Sequence, residues 1–371
     1  MTPRRLAVAE AVAGLERFDA IIDARSPSEF ALDHLPGARN WPTLSDEQRQ
    51  AVGTEYKQVS AFEARLRGAA MAARNIAGHL EREGPGLPRS WRPLVYCWRG
   101  GQRSGALALV LAQIGFEVCV LDGGYRAFRK LVVEQLETLP ASLSLRVLCG
   151  QTGTGKSRLI AALARDGAQV LDLEALAAHR GSVLGALPQA QPGQKRFETL
   201  LWNRLRQFDP AREVFVESES RTIGRLRLPE ALLQRMRAAV CVHLRMPTGA
   251  RIDLLLEDYP HLIDDVDGLC DRLDALRDIR GGEIVARWKT FAREGRWRDL
   301  VGELLDLHYD PIYLRSMSRN FAAFAAAPVL PLDSGATLAI AAAVRELHHG
   351  VPADRGPALH GSVGGAREPG C

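Results

Sequence analysis

Residues 150–157 read Gly150-Gln151-Thr152-Gly153-Thr154-Gly155-Lys156-Ser157, a full match to the pattern G-x-x-x-x-G-K-S. Glycines at these spacings let the backbone turn so that successive N–H groups converge on one concavity, which suits an anion. A helix starting at Lys156 adds the partial positive charge of its N-terminus. Lys156 then reaches terminal phosphates, and the Ser157 hydroxyl is placed to ligate magnesium. The expectation is a bound di- or triphosphate. A strand predicted over 213–217 ends in Glu217, followed by Ser218 and Glu219, where a hydrolytic phosphate-loop protein usually carries Asp. No Asn-Lys-x-Asp guanine reader is present. A phosphate ligand other than a nucleoside triphosphate is therefore admitted.

A second constellation is Leu94-Val95-Tyr96-Cys97-Trp98-Arg99-Gly100-Gly101-Gln102-Arg103-Ser104. An apolar strand delivers Cys97 to a glycine-containing loop, and a helix is expected to begin near Ser104. The N–H groups of such a loop can wrap a sulfur, and a helix N-terminus with Arg99 and Arg103 favours the thiolate. Cys97 is thus a candidate nucleophile or carrier, in a loop completed by Gly100, Gly101 and Arg103. The plain alternative is a half-buried structural cysteine, for which glycines and arginines would be wasteful. The other cysteines, at 119, 149, 241, 270 and 371, show no CxxC spacing, so no metal cage is legible. Cys119, Cys149 and Cys241 lie in apolar runs that read as buried strands.

The elements that position these loops alternate between short apolar runs and helical patterns, which points to α/β architecture with parallel sheets. Strands are predicted over 19–23, 93–97 and 117–121, with one long helical stretch over 44–83. Past a boundary at 138–143, further strands are predicted over 144–149, 168–172, 213–217, 239–244 and 328–332. Residues 251–318 read as mostly helical. The N-terminal apolar run after Arg4 and Arg5 reads as a first amphipathic helix, because Glu10 interrupts it and no signal-peptide cleavage site follows. The expected layout is one domain over 1–140, a phosphate-loop domain with a helical C-terminal region over 141–340, and a flexible glycine-rich tail over 341–371.

Composition sets limits on partners. The chain has 371 residues, 46% hydrophobic and 25% charged, a globular balance that excludes a disordered, collagen-like or disulfide-scaffold protein. No window approaches about 18 uninterrupted apolar residues, so no membrane-spanning helix is expected. The net charge of +4 is evenly spread: residues 1–140 carry 18 basic and 16 acidic side chains, and the remainder 30 and 28. Binding to nucleic acid by bulk charge would be more lopsided, so any RNA contact must come from patches the fold assembles. Five lysines, at 57, 130, 156, 195 and 289, stand among 43 arginines. The cysteine usage fits a thiol-reducing cytoplasm.

Residues 23–42, from Asp23-Ala24-Arg25-Ser26-Pro27-Ser28-Glu29-Phe30 to His34-Leu35-Pro36-Gly37-Ala38-Arg39-Asn40-Trp41-Pro42, strongly resemble the opening signature of rhodanese domains. The Cys97 loop resembles the rhodanese active-site loop, and Leu121-Asp122-Gly123-Gly124-Tyr125 resembles the segment that closes that fold. Sulfur-transferring rhodaneses carry Cys-x4-Arg, whereas this chain has Cys97-x5-Arg103, the longer loop of rhodanese-fold phosphatases. That departure implies a cargo bulkier than a lone sulfane sulfur. A rhodanese-like domain (1–140) followed by a phosphate-loop domain resembles the tRNA 2-selenouridine synthase family. Similar stretches are Gly53–Lys57, Cys97–Gly101, His179–Ser182, Gln194–Glu198 and Glu217–Arg221 with Ile223 and Gly224. The resemblance covers roughly residues 15–335.

The resemblance implies a transferase that converts 2-thiouridine at the tRNA wobble position to 2-selenouridine through an S-geranyl intermediate. Geranyl diphosphate and selenophosphate would be co-substrates, with Mg2+ at the phosphate loop and selenophosphate synthetase as the donor's source. Cys97 would carry selenium with Arg103 beside the charged cargo, while Glu217 and Glu219 would hold Mg2+ or orient the base. A splayed anticodon base needs aromatic stacking and phosphate contacts. Arginine-dense stretches at 221–227, 235–237 and 293–298, with Trp288 and Trp297 among or near them, are candidates, although such stretches are commonly solvated helix faces. Lys57, Lys195 and Arg221 fall in the family-like segments and are candidate tRNA contacts. The competing reading is a rhodanese-fold phosphatase or sulfurtransferase fused to a nucleotide-binding module. A further alternative is a nucleotide-sensing adaptor with an idle rhodanese module.

Overall fold

A computed structural model describes residues 2–182 and 184–349. The described residues divide into two compact units: 2–144 with 171–182, 184–212 and 219–235 form the first, and 145–170, 213–218 and 236–349 form the second.

The first unit is built on a five-stranded parallel sheet of β1 (Arg4–Leu6), β2 (Ala20–Asp23), β3 (Ala38–Asn40), β4 (Pro93–Tyr96) and β5 (Cys119–Leu121). Their order is β1-β5-β4-β2-β3 and every pairing is parallel. Ile22, Val95 and Val120 from three strands pack with Leu107, Ala108 and Leu111 of the helix Gln102–Ile114, and Trp41, Trp91 and Phe116 close the cluster. Helical crossovers cover such a sheet, which explains why its central strands β2, β4 and β5 are short and largely apolar, whereas the edge strands β1 and β3 carry arginines.

The second unit carries another five-stranded sheet, of β6 (Ser144–Cys149), β7 (Gln169–Leu171), β8 (Glu213–Glu217), β11 (Val240–Arg245) and β12 (Val329–Pro331), in the order β12-β11-β6-β8-β7. The pairs β6–β11 and β11–β12 are parallel. Leu159, Ile160 and Leu163 of the helix Lys156–Arg165 pack on Leu148, Val242 and Leu330. A small antiparallel pair, β9 (Thr222–Ile223) and β10 (Leu226–Arg227), lies in the first unit. Among the described residues no helix is long and apolar enough to cross a membrane.

Three local expectations change. The N-terminal run does not open as a helix: Arg4–Leu6 forms the edge strand β1, paired Arg4 to Cys119 and Leu6 to Leu121, before a short helix Val8–Val12. Sheet pairing, which a local pattern cannot register, outweighs the helical spacing there. The stretch 44–83 is two helices, Asp46–Gln58 and Ala61–Glu83. Ser60 starts the second by accepting the Glu63 amide, a helix-capping bond. Residues 341–349, expected within the tail, are the last turns of the helix Thr337–His349, whose Ile340, Ala343, Val344 and Leu347 are buried in the core of the second unit. The rest of the expected tail, and Cys371, lie outside the described residues.

Candidate functional site

In the first unit β4 carries Cys97 to the bottom of a loop that ends where the helix Gln102–Ile114 begins. Cys97 is buried, and the Ser104 hydroxyl donates to its sulfur at 3.1 Å. The rim is open to solvent: Trp98, Arg99, Gly101 and Gln102 are exposed. Gly100 sits at φ +65°, and a Cβ there would come within 2.6 Å of the Leu121 carbonyl oxygen. At Gly101 a Cβ would meet nothing within 4 Å, so that glycine keeps the rim bare.

The loop is held from behind by the Gly123-Gly124-Tyr125 turn. The Tyr125 and Arg126 amides donate to the carbonyls of Cys97 (2.8 Å) and Trp98 (3.0 Å). Gly124, at φ +57°, allows this approach, since a Cβ would lie 2.2 Å from the Cys97 oxygen. Below it Arg25 is fully buried, paired with Asp23 at 2.6 Å, with its guanidinium 4.0 Å from the centre of the Tyr125 ring. Tyr96 accepts the Leu35 amide at 3.1 Å. The rhodanese-like signature residues Asp23 and Arg25 thus brace Tyr125, whose amide holds the Cys97 carbonyl.

Arg103 turns to Glu29, with N–O distances of 2.6 and 3.4 Å. Burial alone would raise the Glu29 carboxyl, but the hydrogen bond and charge of Arg103 outweigh it and leave the group below its ordinary range. Sequence reasoning missed Glu29. Its place in a Ser26 capping box, three residues into a helix, was the available signal. It also missed Asp33, a buried carboxylate that accepts from Tyr125 and Thr199 at 2.8 Å each. Burial is the largest influence on Asp33 and raises it, against the two hydrogen bonds.

In the second unit Gly150–Gly155 form the expected turn between β6 and the helix Lys156–Arg165, with Gly153 and Gly155 at φ +80° and +81°. Lys156 folds over the loop and donates to the carbonyls of Gly150 and Gln151, the latter at 3.2 Å. Thr154 donates to the Gln151 carbonyl at 2.8 Å, tightening the turn. Ser157 is exposed at the start of the helix. Two groups from outside the motif grip the loop. Arg251, buried and paired with Asp310 at 2.6 and 2.9 Å, donates to the Thr152 carbonyl at 2.8 Å. Tyr313 accepts the Gly150 amide at 2.5 Å. Sequence reasoning missed all three, because only the fold brings them to the loop.

Glu217 ends β8 in the second unit, buried, while Glu219 belongs to the first unit, close to Gly181. Among the described residues no group of three or more His, Cys, Asp or Glu side chains converges as a metal cage. Lys57 and Lys195 are exposed, and Arg221 makes an exposed pair with Glu230 at 3.0 Å. Around Lys195 the neighbours are structural: Glu198 pairs with Arg129, Arg196 donates to the His34 carbonyl at 3.2 Å, and Gln194 donates to the Arg227 carbonyl at 2.9 Å. Trp288 is no stacking surface. It is fully buried and donates to Glu303 at 2.9 Å, because it shares the inner face of its helix with Val285, Phe291 and Ala292.

These two loops stand in two recognised domains. Residues 7–131 match the rhodanese-like domain, and residues 143–273 match the tRNA 2-selenouridine synthase AAA domain. A tRNA 2-selenouridine synthase from Nitrosomonas europaea is 35% identical over 243 residues, and the match spans 64% of this chain but 63% of that relative's length. Proteins of the same name from Alcanivorax borkumensis and Sulfurovum sp. are 31% and 35% identical. Those alignments span 81% of this chain and 90% and 89% of the relatives. Matched through both domains and over nearly the whole of two relatives, the chain belongs to the tRNA 2-selenouridine synthase family.

Proposed function

We propose that this protein is a transferase that replaces the sulfur of wobble 2-thiouridine in tRNA with selenium, through an S-geranyl intermediate. The observation that supports the reading is that one chain holds both a buried Cys97, whose sulfur accepts from Ser104 at the start of the following helix, and the glycine-rich turn Gly150–Gly155 leading into the helix at Lys156 and Ser157. A thiocarbonyl sulfur is a poor leaving group, and alkylation makes it a better one. In the first step the thiouridine sulfur attacks the allylic carbon of geranyl diphosphate. A C–S bond forms, the C–O bond breaks, and pyrophosphate departs with the electron pair. Amides of the loop, the helix N-terminus and Lys156 stabilise the charge that develops on it.

In the second step the selenium of selenophosphate, held in the Cys97 loop, attacks C2 of the base and forms a C–Se bond. Geranyl thiolate leaves with its electron pair, and water then cleaves the Se–P bond to leave selenouridine and inorganic phosphate. Ser104 and the backbone of the loop hydrogen-bond the charged cargo. Arg103, anchored by Glu29, supplies a fixed cation at the loop's helical end. The bare rim at Gly101 and the x5 spacing leave room for a selenium-bearing group. Selenophosphate synthetase is the expected source of the donor, and the cytoplasm the expected compartment.

Magnesium suits the second unit's donors, being a hard ion that takes one or two protein oxygens, phosphate oxygens and water. Ser157, in the first turn of the helix Lys156–Arg165, and Glu217, at the end of β8, would hold it, and the ion would neutralise charge on the diphosphate. Lys57, Lys195 and Arg221, all exposed, remain the proposed tRNA contacts.

The test is mass spectrometry of wobble nucleosides from cells with and without the protein, followed by reconstitution from purified components. Selenouridine and geranylated thiouridine should both vanish in its absence. Unchanged nucleosides, with release of phosphate from phosphate esters at Cys97, would favour the rhodanese-fold phosphatase.

A further inference from the structure

The phosphate-binding loop has a side-chain half that its sequence motif does not contain. The helix Asp310–Asn320 presents Asp310 and Tyr313, three residues apart and so on one face, to the loop. Asp310 fixes Arg251, which donates to the Thr152 carbonyl, and Tyr313 accepts the Gly150 amide. The Lys156 ammonium lies 5.6 Å from the centre of the Tyr313 ring. The phosphate-binding lysine and this phenol are therefore neighbours.

The approach to that helix is irregular. Leu304–Tyr309 form a π-helix, a local widening that often marks functional positions. Pro311 follows, which lacks the N–H an unbroken α-helix would use. This break accompanies the register in which Asp310 and Tyr313 face the loop together.

The Tyr313 hydroxyl has a proton without a good acceptor. Its lone pair takes the Gly150 amide, and the neighbouring Ser218 oxygen is 3.4 Å away, against about 2.7–2.8 Å for a well-formed O–H···O bond. A charged phosphate oxygen is a stronger acceptor than a serine hydroxyl. Burial is the main influence that pushes the phenol above its ordinary range, with Cys149 next, so it stays a donor at neutral pH.

We propose that Tyr313 contacts the ligand of the phosphate site, its hydroxyl held by the Gly150 amide so that it donates to a phosphate oxygen of a bound diphosphate. Arg251 and Asp310 are positioning residues that keep the loop in register with it. The inference rests on the reading of Gly150–Ser157 as a diphosphate site.

Calorimetric titration of the full chain with inorganic pyrophosphate tests it. Tyr313→Phe keeps the ring beside Lys156 and removes the hydroxyl, and affinity should fall about ten- to a hundredfold, the scale of a hydrogen bond to a charged group. Fluorotyrosine placed at 313 in the otherwise wild-type chain should shift its 19F resonance on addition of pyrophosphate, a readout that does not depend on the variant folding. If Tyr313→Phe binds as wild type, or the fluorine signal is indifferent, while Lys156→Ala loses binding, Tyr313 is only structural and the inference falls alone. If Lys156→Ala also binds as wild type, the diphosphate reading fails and takes the inference with it.

Discussion

The backbone amide of Tyr125 donates a 2.8 Å hydrogen bond to the carbonyl of Cys97, and that bond ties the closing turn of the first unit to its sulfur-bearing loop. The approach depends on Gly124, because a side chain at 124 would displace the Cys97 carbonyl. The loop's shape is thus a property of two segments that meet only in the fold.

Gly124→Ala should therefore destabilise the protein by about 1–3 kcal/mol, the usual scale for a residue forced into a strained backbone region. It should also slow modification of Cys97 chemistry disproportionately. Denaturant unfolding, measured alongside selenium transfer to S-geranyl-2-thiouridine tRNA, checks both. Wild-type transfer by a folded Gly124→Ala protein would mean the turn does not shape the loop.

Cys97→Ser separates the two steps. Selenium incorporation should be lost, since serine removes the buried sulfur at the base of the loop that is proposed to hold the selenium donor. Geranylation of thiouridine should persist, because it needs only the phosphate loop. Liquid chromatography of digested tRNA distinguishes the products, and wild-type selenouridine from the Ser variant would make Cys97 structural.

Glu29 gives a pH prediction with a definite sign. Its folded carboxyl lies below the ordinary range through Arg103, so the pair adds stability that is fully present above the unfolded carboxylate value of about 4.3. That contribution is lost as pH falls through the lower, folded value. Unfolding free energies of wild type and Glu29→Gln should differ by a constant at pH 6–8 and converge below about pH 4. A difference that instead grows on acidification would show that Arg103 is not its partner in solution.

The phosphate loop should turn over little nucleotide. Hydrolysis needs a positioned water in line with a terminal phosphate, whereas prenyl transfer must keep water from the allylic carbon. With tRNA present, ATP and GTP hydrolysis should be negligible, and product should form in nucleotide-depleted reactions given geranyl diphosphate and selenophosphate. ATP consumption that tracks product one-for-one would instead indicate an adenylating or kinase mechanism.

Several elements were legible from sequence because their signal is local. The loop 150–157 carries its glycines, lysine and serine in one run between a strand and a helix, and Gln169–Leu171, Glu213–Glu217 and Val240–Arg245 are apolar runs bounded by polar residues. Trp288 was misread as a stacking surface because of the nearby arginines, whereas its helical spacing from Val285, Phe291 and Ala292 puts it on the buried face. The short strands Arg4–Leu6 and Ala38–Asn40 were not legible, because three residues carry too little periodicity and exist by pairing with β5 and β2.

What the sequence alone determined was local and contiguous: a cysteine at the end of an apolar strand in a glycine-containing loop, a glycine-lysine-serine run between a strand and a helix, and the α/β alternation that holds both. Only the tertiary structure decided how those loops are completed. Arg103 reaches Glu29 across 74 positions, Thr199 reaches Asp33 across 166, and Gly150 reaches Tyr313 across 163. The physical reason is that a motif fixes backbone shape through neighbours along the chain, whereas buried charges and orphan amides find their partners only where sheet order and helix packing deliver them.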